Sequence, residues 1–224
     1  MIPIKDDNPT RRKSILRFII IIICSIVFFI QLNGDNYYLI NFYGYKPASL
    51  TTTDYQFDTF NPILTIFTSM FMHGGWLHFL GNMLYLWIFS DNIEDALGKK
   101  KFIIFYLLSG IAAALFQSIG DLDSNIPMIG ASGAIAGVLG AYVYLYPKAK
   151  ILVIVPLLIF FFSVRLPAIM VLGFWFFIQF INVIIGDQNS NVAWMAHIGG
   201  FVFGLIYCVL FTKKNKKGNS VFLK

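Results

Sequence analysis

Long apolar runs separated by short polar stretches dominate the pattern of this chain. Six of the runs, at 15–32, 76–93, 102–120, 132–147, 167–185 and 192–211, predict membrane-spanning helices. A span needs roughly 20 mostly apolar residues at a rise of about 1.5 Å each. Two other runs, 63–72 and 151–162, have the shorter length that is typical of interfacial or re-entrant segments. The pattern therefore predicts an all-α membrane protein with six transmembrane helices.

Composition agrees with this class. The chain is 58% hydrophobic and 12% charged, and its mean hydropathy is +0.72. A soluble domain has about twice that share of charged residues, roughly 25%. No internal repeat or low-complexity linker divides the sequence. We therefore expect an N-terminal tail at 1–14, a single helical domain at 15–211 and a basic C-terminal tail at 212–224.

The basic residues indicate the orientation of the helices. With six spans both termini lie on one side, and of the 17 basic residues all but Lys46 then fall on that side. They are Lys5, Arg11, Arg12, Lys13, Arg17, Lys99, Lys100, Lys101, Lys148, Lys150, Arg165, Lys213, Lys214, Lys216, Lys217 and Lys224. The acids Asp35, Asp54, Asp58, Asp121, Asp123 and Asp187 fall on the other. Under the positive-inside rule both termini are cytoplasmic. Treating 151–162 as a seventh span would place the C-terminal lysines outside.

Three alternative readings of these features are weaker. Arg11, Arg12 and Lys13 before the first run resemble the start of a signal peptide, but no Ala-x-Ala-like cleavage site follows it. The net charge is +6, but the basic residues form no patch interleaved with aromatics, so a nucleic-acid partner is not expected. Cys24 and Cys208 lie within the first and last spans, where we expect them to pack as small hydrophobic side chains. The short tails fit a bacterial inner membrane, with an organelle membrane as the alternative.

The segment Gly130-Ala131-Ser132-Gly133 opens the fourth predicted span, and His197 lies just inside the sixth. A polar side chain in hydrocarbon is costly unless it is paired or functional. Small-xxx-small pairs, Gly133 with Gly137 and Gly200 with Gly204, allow close helix approach and would bring His197 to Ser132. Helix packing without catalysis also explains the glycines. It leaves unexplained why a serine and a histidine share one depth.

Polar residues also stand at the outer end of the second predicted span. His78 and Asn82 are four residues apart and share one helix face, while His73 precedes them in the loop. Donors aimed at a developing oxyanion are one interpretation of His78, Asn82 and the Ser132 N–H. Structural contacts between helices are the other interpretation of Asn82, and loop anchoring is the main one of His73.

A serine beside a general base is the minimum for nucleophilic hydrolysis. No acidic residue in any predicted span is placed to orient His197, so the sequence predicts a Ser132–His197 dyad rather than a triad. The sequence contains no Walker loop, no His-Glu-x-x-His zinc motif and no dinucleotide fingerprint. Neither a metal nor a cofactor is expected.

Three motifs in register resemble those of the rhomboid intramembrane serine proteases. They are His78-x-x-x-Asn82, Gly130-Ala131-Ser132-Gly133 and Ala196-His197-x-Gly199-Gly200-x-x-x-Gly204. The resemblance implies a six-helix bundle with a membrane-embedded first loop at 61–72 and a water-filled site open to the outer face. It implies Ser132 as nucleophile and His197 as base, with His78, Asn82 and the Ser132 N–H around the oxyanion. His73, Gly130, Gly133, Gly200 and Gly204 would support the site.

The resemblance also implies the partners, which are single-span membrane proteins cut near the outer end of their transmembrane helix. Two features depart from many relatives. The first loop has no Trp-Arg pair, and Ala136 stands where an aromatic often stacks on the histidine. Two other functions remain as alternatives. A non-catalytic rhomboid-like client-binding protein usually lacks the Ser or the His, and a transporter would need broken helices or charges at mid-membrane.

Overall fold

The computed structural model describes residues 1–51, 59–157, 160–186, 192–214 and 221–223. The chain is mostly helical. In order its helices are α1 (Leu16–Asn33), α2 (Asn36–Tyr43), α3 (Pro62–Thr68), α4 (Trp76–Leu97), α5 (Lys99–Gly120), α6 (Ser132–Leu145), α7 (Ala168–Ile185) and α8 (Trp194–Phe211). The strands are β1 (Ile2–Asp6), β2 (Lys150–Leu157), β3 (Phe160–Pro167), β4 (Thr212–Lys214) and β5 (Val221–Leu223). Single 3-10 turns form at Pro47–Leu50 and Ser69–Phe71.

Each of the six predicted spans forms a helix whose bounds lie within a few residues of the prediction. Helices α1, α5, α7 and α8 are each long and apolar enough to cross a membrane. The pair Pro62–Phe71 and α4 passes the same test together, with an 82° bend between its parts. Helix α6 has 14 residues and is shorter than a full span. The chain is thus a multi-pass membrane protein, and the count of six spans stays a prediction.

Some predicted topology markers cannot be compared with the fold, because Asp54, Asp58, Asp187, Lys216, Lys217 and Lys224 lie outside the described residues. The predicted membrane-embedded loop at 61–72 corresponds to α3 and the 3-10 turn after it. Their 82° bend against α4 is the shape of a broken span or a re-entrant loop. Asn61 caps α3 by accepting from the Ile63 and Leu64 N–H groups, which fixes where this segment begins.

Helix α6 lies at the centre of the bundle between α5 and α8. A Cβ at Gly200 would lie 2.1 Å from the Gly133 carbonyl oxygen, and one at Gly204 would lie 1.9 Å from that of Gly137. The α8 glycines therefore face the α6 backbone, as predicted. The backbones of Gly133 and Gly137 form the surface that the α8 glycines contact, while a Cβ added at either would also meet Ala113 or Ser109 of α5. Helices α5 and α8 thus both pack closely against the α6 backbone, and this contact is possible because the glycines have no side chains.

A three-stranded antiparallel sheet covers one end of the bundle, in the order β1-β2-β3. The apolar run 151–162 supplies most of β2 and part of β3, so this predicted interfacial segment is a hairpin. The predicted N-terminal tail also belongs to the fold, because β1 pairs with β2. Periodicity does not distinguish a short, uninterrupted apolar run as strand or helix, which is why the sheet was not predicted. We call this end of the molecule the inner end.

Acidic residues at the inner end of α4 hold the chain that leads into α1. The Glu94 carboxylate accepts hydrogen bonds from the N–H groups of Ile15, Leu16 and Arg17 and from the Ser14 hydroxyl. These are the donors that the first turn of a helix leaves unpaired. Arg17 forms an ion pair with Asp91 at 2.8 Å. The acids of α4 therefore anchor a neighbouring helix.

Candidate active site

Ser132 and His197 meet at the end of the bundle opposite the sheet. Ser132 is the first residue of α6 and is half-buried, while His197 lies in the first turn of α8 and is 9% exposed. The His197 Nε2 and Ser132 Oγ atoms are 2.9 Å apart, which is hydrogen-bond distance. The tight contact between Gly200 and the Gly133 carbonyl makes this approach possible. The structure therefore brings the two predicted dyad residues together.

His78 and Asn82 approach the same place from α4. A Cβ built on Gly130 would lie 2.6 Å from His78 Nε2 and 3.5 Å from Asn82 Nδ2, so both nitrogens border the space beside Gly130. Gly130 has φ +121°, a conformation that also requires glycine. The Gly74 N–H donates to His78 Nδ1 at 3.4 Å, which leaves Nε2 to carry the ring proton.

Asn82 has a donor without a visible acceptor. Its side chain is 8% exposed, and Nδ2 has no hydrogen-bond partner among the described residues. A buried unpaired N–H is unfavourable unless a ligand or a water supplies the acceptor. The side chains of His78 and Asn82 thus present two donors to the small space beside Gly130, which lies two residues before Ser132. This arrangement suits an oxyanion next to the serine.

His73 lies behind this space and does not contact Ser132. It is fully buried, and its ring packs edge-on against Phe79 and His78, each with ring centroids 5.3 Å away. Its backbone N–H donates to Gln31 Oε1 and its carbonyl accepts from Gln31 Nε2, at 3.0 and 3.1 Å. These paired bonds tie the loop before α4 to α1. The contacts agree with a loop-anchoring role for His73.

The second ring nitrogen of His197 has a partner that the sequence analysis missed. Gln179 on α7 is 4% exposed, and its Oε1 lies 2.8 Å from His197 Nδ1. Its Nε2 donates to the Trp175 carbonyl one helical turn earlier, also at 2.8 Å. A signal for Gln179 was present in the sequence, since an amide within an uncharged apolar helix is as unusual there as Asn82 is in α4. An amide oxygen accepts from an imidazole N–H as a carboxylate does, so an orienting group need not be an acid.

The aromatic neighbours of His197 come from helices other than α6. The Trp175 ring lies 5.6 Å from the imidazole at 38°, and the Trp194 ring lies 6.0 Å away at 85°. Ala136 is fully buried, and its Cβ would lie 3.3 Å from a Cβ at Gly200. A larger residue at this position would separate α6 from α8. The departure noted at Ala136 is therefore a packing requirement, and two tryptophans enclose the histidine instead.

These features define the class of this molecule as a multi-pass membrane protein that encloses a Ser–His pair within its helical bundle. The Rhomboid domain family matches residues 61–214, which is more than half of the chain and includes both residues of the pair. The chain belongs to the rhomboid family.

Relatives of known name come from mitochondria and from a bacterium. Rhomboid protein 1, mitochondrial, of Saccharomyces cerevisiae is 33% identical over 64% of this chain and 40% of its own length. The human presenilin-associated rhomboid-like protein, mitochondrial, is 30% identical over 73% of this chain and 43% of its own length. The rhomboid YdcA of Bacillus subtilis is 29% identical over 68% of this chain and 69% of its own length. The chain spans about two fifths of the mitochondrial relatives' length.

Proposed function

We propose that this protein is an intramembrane serine endopeptidase that cleaves single-span membrane proteins near the outer end of their transmembrane helix. The observation that carries this proposal is the 2.9 Å distance between His197 Nε2 and Ser132 Oγ inside a membrane bundle. Membership of the rhomboid family supports the class of enzyme. A serine hydroxyl needs a base at this distance to act as a nucleophile.

The proposed reaction uses the two side chains in the usual order. Ser132 Oγ attacks the carbonyl carbon of the scissile peptide, and its proton passes to His197 Nε2. The tetrahedral intermediate then expels the amine, which takes that proton, and leaves an acyl ester on Ser132. A water molecule, deprotonated by His197, hydrolyses the ester and releases the second product. The reaction needs no cofactor.

The negative oxygen of the tetrahedral intermediate would lie beside Gly130. His78 Nε2, Asn82 Nδ2 and the Ser132 N–H are the donors that we assign to it. The start of α6 adds the positive end of a helix dipole at the same point. Donors held in place before the reaction stabilise charge that develops only in the transition state.

Substrates and location follow from the membrane class. A site enclosed by apolar helices favours a substrate that reaches it through the lipid bilayer. From the distribution of basic residues we place both termini in the cytoplasm and the site toward the outer face. A bacterial inner membrane is the location that we propose, with an organelle membrane as the alternative. The named relatives include proteins of both mitochondria and a bacterium.

Labelling by a biotinylated fluorophosphonate in detergent tests the enzyme class. Wild type should be labelled, and Ser132→Ala and His197→Ala should each abolish the labelling while keeping the wild-type melting curve. Loss in both variants supports a histidine-activated serine. A well-folded wild type without labelling would contradict the proposal and favour a client-binding protein. Cleavage of a reconstituted single-span substrate, with the same variants as controls, then tests the endopeptidase assignment.

A further inference from the structure

We propose that Gln179 is a positioning residue that holds His197 in the tautomer required of a general base. This inference rests on the proposed function. It concerns one bond, from His197 Nδ1–H to Gln179 Oε1, whose heavy atoms are 2.8 Å apart. With that bond, the Ser132–His197 pair becomes a chain of three side chains.

The orientation of the Gln179 amide follows from its second contact. The nitrogen and oxygen of an amide group are told apart by their hydrogen-bond partners. A backbone carbonyl oxygen can only accept a hydrogen bond. The Gln179 amide atom that lies 2.8 Å from the Trp175 carbonyl oxygen must therefore be the nitrogen. The atom that faces the imidazole is then the oxygen. The reversed amide would place two acceptors against each other at Trp175.

The amide orientation decides the state of the histidine. Because Gln179 Oε1 only accepts, the proton of the neutral imidazole lies on Nδ1. The Nε2 atom then carries a lone pair and faces the Ser132 hydroxyl at 2.9 Å. This is the tautomer that removes a proton from serine. The other tautomer would place an N–H against the Ser132 hydroxyl and could not accept its proton.

The position of Gln179 on α7 also points to this role. Of the 18 residues of α7, four are buried, and the other three, Ala168, Val171 and Leu172, lie near its inner end. Gln179 is thus the one buried residue in the outer half of α7, and it is polar. A neutral amide suits the place, because a carboxylate there would have to be desolvated among apolar helices.

The test combines labelling rates with the tautomer of His197. In Gln179→Leu we expect fluorophosphonate labelling to slow by about 10- to 100-fold, as for loss of one buried hydrogen bond. In ¹⁵N spectra of histidine-labelled protein, wild type should show His197 protonated at Nδ1 and Gln179→Leu should show a mixture. The chain has 3 histidines, so His197→Ala assigns the signal. Gln179→Glu, as the neutral acid that burial favours, can donate to the Trp175 carbonyl and accept from His197, so it should keep the Nδ1–H form.

Gln117→Leu is the matched control. Gln117 Oε1 accepts from the Ala196 N–H at 3.1 Å. This variant therefore also removes a hydrogen bond between a side-chain amide and α8, but it leaves the contacts of the imidazole unchanged. It should keep the wild-type tautomer and lower labelling much less. A wild-type His197 protonated at Nε2, or an unchanged tautomer in Gln179→Leu, would overturn the proposal. An unlabelled wild type with the expected tautomers would refute only the protease assignment.

Discussion

Asn82 and Asn92 lie on the same helix and differ in how their amides are satisfied. Asn82 Nδ2 has no partner among the described residues, whereas Asn92 Nδ2 donates to Asp6 and Asp91 at the inner end. Both side chains are buried. A buried amide N–H without a partner is unfavourable for folding, so its presence calls for another reason. For Asn82 that reason is the proposed oxyanion.

We therefore expect Asn82→Ala to lower the rate of labelling or cleavage on the order of 10²-fold, the usual effect of losing one oxyanion donor. Its melting temperature should stay close to that of wild type. Asn92→Ala is the control and should show the reverse, a lower melting temperature with normal labelling of the folded fraction. Thermal unfolding in detergent and labelling rates measure both. If Asn82→Ala is destabilised as much as Asn92→Ala, a structural contact between helices is the better interpretation.

Asp6 predicts a pH dependence of stability. Burial raises the pKa of this half-buried carboxyl from 3.8 to about 6, and repulsion from Asp91 adds to the rise, against a lowering bond from the Tyr142 hydroxyl. The folded state therefore binds the proton more tightly than the unfolded state. The contribution of Asp6 to stability is complete below about pH 4 and is lost as the pH rises through about 6.

Asp6→Asn should remove this dependence and raise the free energy of unfolding at pH 7. Partial exposure screens the charge, so we expect on the order of 1 kcal/mol. Melting curves of wild type and variant at pH 5 and pH 7.5 measure the difference. Asp7→Asn is the control, because Asp7 forms an exposed ion pair with Arg165 and should change stability little. An equal pH slope in wild type and Asp6→Asn would contradict the prediction.

At the level of single elements, the β2–β3 hairpin carries a row of exposed apolar side chains. Its residues Leu157, Phe160, Phe161 and Phe162 are between 50% and 73% exposed. Successive residues of a strand point to opposite faces, so the part of the chain that the structure describes covers neither face here. No charged residue occurs between Lys150 and Arg165. The sequence predicts an interfacial segment at 151–162, and an apolar hairpin with cations at its base suits the inner surface of a bilayer.

A nitroxide label measures this placement. In a Cys24→Ala, Cys208→Ala background, a label on Phe161→Cys should be relaxed by oxygen and shielded from a water-soluble nickel chelate. Lys100→Cys, an exposed position at the inner end, is the control and should show the opposite preference. A label on Phe161→Cys that the nickel chelate reaches freely would contradict the prediction. Shielding from both reagents would indicate that protein covers the hairpin.

At the scale of the whole molecule, the site depends on how closely α8 approaches α6. A Cβ on Gly204 would meet the Gly137 backbone, where no flexible side chain can yield. Because His197 lies two helical turns from Gly204 on the same helix, any displacement of α8 also changes the distance from His197 to Ser132. The geometry of the Ser132–His197 pair and the stability of the bundle are therefore linked through one helix contact.

Gly204→Ala should lower stability by about 1–3 kcal/mol, the usual effect of overpacking, and should reduce labelling of the folded fraction. Gly173→Ala on α7 is the control, because a Cβ there would meet nothing within 4 Å. Its stability should be unchanged or slightly higher, by up to about 1 kcal/mol. Melting curves and labelling in detergent provide both values. Equal melting curves and equal labelling of the two variants would show that the α6–α8 distance controls neither stability nor labelling.

The helices and the candidate pair Ser132 and His197 could be predicted from local features of the sequence. Apolar runs of span length and buried polar residues carry strong local signals, since each is costly outside one setting. Ser132, His197, His78 and Asn82 could therefore be selected without coordinates. The glycines at 200 and 204 also indicated a close helix contact before the structure showed it.

Only the tertiary structure decided which partners these residues have. Gln179 on α7 reaches His197 on α8, Glu94 caps a helix nearly 80 positions earlier in the chain, and a Cβ on Gly133 would meet Ala113 of α5. The sheet, too, depends on pairing between β1 and a segment about 150 residues away. Such contacts leave no periodic trace in the sequence, because they depend on how the helices rotate and approach one another after they form.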